Sequence, residues 1–204
     1  MVRLRSLLSD TRAASAAEFG LVLPLLLALL FGIIDAGRFM WEYNRAEKAT
    51  QAGARMAVVT DVVAGGIAST SFVGQTVGGT TLTQGDRIPA AALGTVTCDS
   101  TNCACGSCIT GIPGTYNSAA FTAIVQRMQY MFPEIQASNV IVEYRGSGLG
   151  FAGDPNGSEI SPLVTVKLTG VQFRPISFLM FKTLSMPEFS TTLTAEDLSG
   201  TESG

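Results

Sequence analysis

With 204 residues, 47% of them hydrophobic, and a formal charge of −3, the chain can form one membrane helix and one modest domain but not two independent cores. The acidic balance leaves no basic face to neutralise phosphates, which argues against nucleic-acid binding. The sequence contains no histidine, which removes triads, the usual zinc-hydrolase ligands and the commonest general base near neutral pH, so no catalysis and no cofactor are expected.

A basic leader, residues 1–13, sets Arg3, Arg5 and Arg12 against Asp10. The run from Ala13 to Ile34 that follows is apolar except for Ser15 and Glu18, and measures roughly 33 Å as a helix at about 1.5 Å per residue, enough to cross a bilayer. After Ile34 the chain reads Asp-Ala-Gly-Arg-Phe-Met-Trp, a poor signal-peptidase site, so the run reads as a retained anchor over about 14–34. The positive-inside bias then keeps the leader cytoplasmic and sends the rest outward, in a bacterium to the periplasm. A carboxylate in hydrocarbon is costly, and neither Lys nor Arg occurs between Arg12 and Arg38. The partner of Glu18 must therefore be a cation of another chain or a newly freed N-terminal amine.

Helical spacing continues through Ala36, Phe39, Tyr43, Ala46, Ala49, Gly53, Met56, Thr60 and Val63, so one helix is predicted over 14–63, with Pro24 and Gly32 as places where its membrane half can bend. Asp35 with Arg38, Arg38 with Glu42, and Glu42 with Arg45 stand at separations that let side chains meet on a helix. Residues 64–118 turn to Gly, Thr and Ser and read as loop, with Thr95-Val96-Thr97 the best strand candidate. The ectodomain proper is placed at 119–198. A helix from Ser118 to Phe132, ended by Pro133, is predicted to pack on strands at Asn139–Arg145, Leu163–Thr169 and Phe189–Thr194. Asp154-Pro155-Asn156-Gly157 has turn chemistry, and the carboxylates from Asp154 to Glu159 lack the spacing of a calcium loop. Ile176 to Phe181 is an apolar run that reads either as a contact patch or as a short helix covering the sheet, and residues 199–204 read as a disordered tail. The predicted class is α+β: a long pilin-like transmembrane helix continuing into a small ectodomain with a second helix on an antiparallel sheet.

Cys98, Cys103, Cys105 and Cys108 fall within eleven residues. In a periplasmic segment they read as two disulfides stapling a Gly-rich loop; three pairings exist, of which Cys103 with Cys105 is disfavoured by geometry. A zinc knuckle and a thioredoxin-type pair at Cys105-Gly-Ser-Cys108 are the alternatives.

Small residues, then Glu18-Phe19, then an apolar block with an early proline resemble the N-terminus of pilin-like proteins of the TadE-like family, from the tight-adherence (Tad, or Flp) type IV pilus. Phe31-Gly-Ile-Ile-Asp35 and Gly53-Ala54-Arg55 extend that resemblance over about the first 60 residues. It implies a prepilin peptidase that cuts between Ala13 and Ala14, making Glu18 the fifth mature residue. Glu18 of one subunit then neutralises the Ala14 amine of its neighbour. The implied partners are other pilins and minor pilins, met through the N-terminal helix, the peptidase and an inner-membrane assembly platform; the implied role is that of a minor pilin or pseudopilin in surface adherence. An uncleaved TadE-like scaffold, and a signal-anchored periplasmic thiol protein using Cys105 and Cys108, are the competing readings.

Overall fold

A computed structural model describes residues 11–155, 157–176, 183–195 and 198. Most of the leader, the tail 199–204, Asn156 and all of the Ile176 to Phe181 run except Ile176 lie outside the described residues. The fold is α+β: a long N-terminal apolar helix precedes a small β-sheet domain with a further helix. The chain divides into two compact units, Met1–Glu42 with Gln172–Ser185, and Tyr43–Val171 with Met186–Gly204.

Helix α1 spans Thr11–Val59, with Pro24 inside it. Residues 60–63, helical by periodicity, instead follow the helix end as non-helical chain. In the second unit its buried arc is Ala46, Ala49, Thr50, Gly53, Ala54, Ala57 and Val58. These side chains are nearly all small, so backbone and sheet can approach closely. The predicted face is correct at Ala46, Ala49 and Gly53, but Ala36 is exposed and Met56 only half-buried. Three- and four-residue steps fix a helical stripe only to within about one position, and contact with the sheet decides which neighbour turns inward.

Past α1, the Val63 N–H donates to the Tyr144 hydroxyl (3.0 Å) and the Val63 carbonyl accepts from the Asn117 N–H (2.8 Å). The Gly65 and Gly66 N–H groups donate to Thr115 and Pro113 carbonyls, each at 2.9 Å. Tyr144 is fully buried, and burial raises its phenol above the ordinary range. Helix α2 (Gly66–Ser69), the two-residue strands β1 (Thr76–Val77) and β2 (Thr80–Thr81), and a 3-10 turn at Ala90–Ala92 fill the Gly-rich region.

That region also contributes two strands to the main sheet, β3 (Thr95–Cys98) and β4 (Cys103–Cys105). With β5 (Val140–Arg145), β6 (Leu163–Leu168) and β9 (Phe189–Thr194) they form an antiparallel sheet in the order β4-β3-β5-β6-β9. Helix α3, Ser118–Met131, starts where the Asn117 side chain accepts the Ala120 N–H at 3.0 Å, and ends before Pro133. Its Ile124 and Met128 are fully buried, as are Val142, Tyr144, Val164 and Val166 of the sheet. A β-carbon on Gly53 would lie 2.7 Å from Met128 Cγ and 3.3 Å from Val166 Cγ1, so α1, α3 and β6 converge there. On the opposite sheet face Glu143 is buried and paired with Arg145 and with Lys167 Nζ (2.9 Å).

Strands β7 (Gln172–Phe173) and β8 (Leu184–Ser185) belong to the first unit. Leu168 pairs with Phe189, the Met186 N–H donates to the Val171 carbonyl at 2.9 Å, and Phe173 pairs with Leu184. The pairing offset within β7–β8 equals that within β6–β9.

Candidate functional site

Among the described residues, little covers the apolar N-terminal half of α1. No residue of the apolar window that qualifies it as a membrane span is buried, and Phe19, Leu21, Leu25, Leu29 and Ile33 are all more than half exposed. In water such a surface would be a severe liability; in hydrocarbon it is ordinary. Glu18 stands on this helix with its side chain exposed, and makes no ion pair among the described residues. Ala13 and Ala14 lie in the first turns of the same helix.

Asp35 ends the apolar stretch and is 5% exposed. Its Oδ1 accepts the backbone N–H of Ile176 at 2.8 Å and lies 3.4 Å from Arg38 Nη1. Arg38 also donates to the Arg174 carbonyl at 3.2 Å, lies 3.4 Å from Glu42 Oε1, and stacks 5.3 Å from the centre of the Phe173 ring. Phe39 meets the same ring edge-on at 5.4 Å. The 172–176 segment is therefore fastened to α1 just past the apolar stretch. The predicted helix-surface pairs Asp35–Arg38 and Arg38–Glu42 are present. Sequence reasoning missed their second task, because the other partners lie 136 to 141 residues away. The available signal was a helical phase that sets Asp35 on the same arc as Phe39 and Glu42.

The four cysteines stand at disulfide distance as Cys98–Cys103 and Cys105–Cys108, with Cα separations of 4.0 and 5.9 Å. Cys98 and Cys103 are directly opposed in the β3–β4 register, so the first bridge ties the edge strand to its neighbour. Asp99 shapes the loop between them, accepting from the Thr101 hydroxyl (2.6 Å) and from the Asn102 and Thr101 amides (3.0 and 2.7 Å), which hold its carboxyl below the usual range. Cys105 ends a strand and Cys108 lies outside any strand or helix, unlike a thioredoxin strand-to-helix turn. Replacing both Cys98 and Cys103 by Ala is expected to cost about 2 kcal/mol, the loop-closure value for so short a span. Thermal unfolding of the full chain in detergent should show a midpoint lower by roughly 4 to 8 °C.

Comparison with known families places the resemblance on the same helix: the family model described as TadE-like protein matches residues 13–55. No curated protein and no solved structure matches the chain. Residues 13–55, which carry Glu18, Asp35 and Arg38, are thus a TadE-like segment, consistent with a TadE-like protein of the tight-adherence pilus system.

Proposed function

We propose that the chain is a non-catalytic minor pilin or pseudopilin of a tight-adherence type IV pilus. It is held in the bacterial inner membrane by α1, with the leader in the cytoplasm and the sheet domain in the periplasm. The observation that carries this reading is Glu18, a lone carboxylate on a lipid-compatible helix face inside a TadE-like segment. A prepilin peptidase cutting between Ala13 and Ala14 frees an amine near Glu18, and the carboxylate of one subunit neutralises the amine of the next. In low dielectric such a pair is strong when formed and costly when missing, so it selects register among packed helices. Other pilins and the inner-membrane assembly platform are met through α1, and the sheet domain is presented for contacts in adherence.

One observation favours a second reading, an uncleaved TadE-like scaffold: the Ala13–Ala14 bond lies inside α1, where a peptidase must first unwind the chain. Intact-mass measurement of the protein from membranes of cells that also carry the pilus peptidase separates the two. The pilin reading expects a chain that starts at Ala14. A chain that still carries Met1 overturns it in favour of the scaffold.

A further inference from the structure

The Asp35 carboxylate fixes the backbone of Ile176 where α1 leaves its apolar stretch. The last strongly apolar residues before it, Ile33 and Ile34, are 64% and 44% exposed. Whatever is fastened to Asp35 therefore shares the depth at which the helix passes from hydrocarbon to water. Arg38 holds the preceding residue pair through the Arg174 carbonyl and the Phe173 ring, so the depth is set by two separate contacts. Two apolar side chains of this arm face outward, Ile176 at 64% and Leu184 at 38% exposure. The sequence between them holds the apolar run Phe178-Leu179-Met180-Phe181, flanked by Ser177 and by Lys182-Thr183. Arg174 is exposed beside them and offers a cation at headgroup level.

We propose that Asp35 and Arg38 are positioning residues that hold the 172–176 and 184–185 arm against the bilayer surface, with Ile176 and Leu184 in contact with lipid at the headgroup–acyl boundary. The occupant is lipid because α1 itself supplies the bilayer at that height; the inference rests on α1 crossing the membrane. A side chain at this boundary gains from apolar burial without the cost of full insertion.

The test uses the full chain in vesicles of phosphatidylethanolamine and phosphatidylglycerol, at low protein-to-lipid ratio. The native cysteines are paired, so a nitrobenzoxadiazole label can be placed at one added cysteine under non-reducing conditions. Three variants carry it: Ile176→Cys, Leu29→Cys within the apolar stretch, and Thr192→Cys on the exposed side of β9. Lipids bearing a nitroxide near the headgroup are expected to quench the label at position 176. Nitroxides near the acyl terminus should quench at 29, and neither should quench at 192. Adding Asp35→Ala and Arg38→Ala together is expected to abolish quenching at 176 while leaving 29 unchanged. Quenching at 29 without quenching at 176 overturns the arm and leaves the membrane helix standing; a blue-shifted but unquenched label at 176 does the same and assigns the arm to another subunit. Quenching at 176 that survives both substitutions overturns the positioning role given to Asp35 and Arg38. Absence of quenching at 29 overturns the membrane reading and this inference with it.

Discussion

Cells carrying Glu18→Gln are expected to make the protein at the normal level and to assemble almost no pilus fibres. Gln keeps the length and shape of the side chain and removes its charge, exchanging one acceptor oxygen for an NH2 donor, so a loss reports chiefly on the ion pair. Two unit charges about 4 Å apart at an effective dielectric near 20 attract by about 4 kcal/mol. Even after partial desolvation, loss of about 3 kcal/mol would weaken each helix–helix step roughly a hundredfold. For a minor pilin the deficit falls on the steps in which this subunit joins its neighbours. The measurement is sheared fibre yield against the membrane-bound protein pool, by immunoblot. An equal yield from Glu18→Gln cells would mean that the carboxylate has no part in assembly.

Gly66→Ala is expected to be strongly destabilising, although it adds a single methyl group to the sheet domain near the end of α1. Its β-carbon would lie 2.2 Å from the Gly111 carbonyl oxygen, 2.8 Å from that of Pro113 and 2.9 Å from the Gly114 nitrogen. All three are backbone atoms, and retreat of Pro113 would break its 2.9 Å bond from the Gly66 amide. A flexible side chain could turn aside, whereas a hydrogen-bonded main chain cannot. Overpacking of this kind costs about 3 kcal/mol, which in a chain of this size lowers the unfolding midpoint by roughly 6 to 12 °C. Gly106→Ala is the control, since nothing lies within 4 Å of its added carbon and its φ is not positive. A Gly66→Ala protein that melts with Gly106→Ala and the parent would show that the 63–66 and 113–117 segments do not restrain the domain.

What could be read directly from the sequence follows the strength of local signals. Helix α3 is bounded by a capping Asn117 and by Pro133, and both act within one turn of chain. Strands β5, β6 and β9 carry β-branched and aromatic residues in near alternation, which sufficed to place them. Residues 95–105 were harder. Thr95-Val96-Thr97 is visible as a strand, but nothing local shows that it pairs with Glu143, Tyr144 and Arg145, nearly fifty residues on. The cysteine pairing was open for the same reason: it depends on the β3–β4 register that sets Cys98 opposite Cys103. Glu18 was conspicuous because its surroundings are uniform. Asp35 was not, because as the end of an apolar block it looks like an ordinary boundary residue until the Ile176 amide arrives.

The β6–β9 ladder limits how this protein can vary. A slip of one residue in its register would turn each side chain of β9 to the opposite surface and bring Phe189 out of the core. Among descendants of this chain, changes of length are therefore expected outside Leu163–Leu168 and Phe189–Thr194 rather than within them.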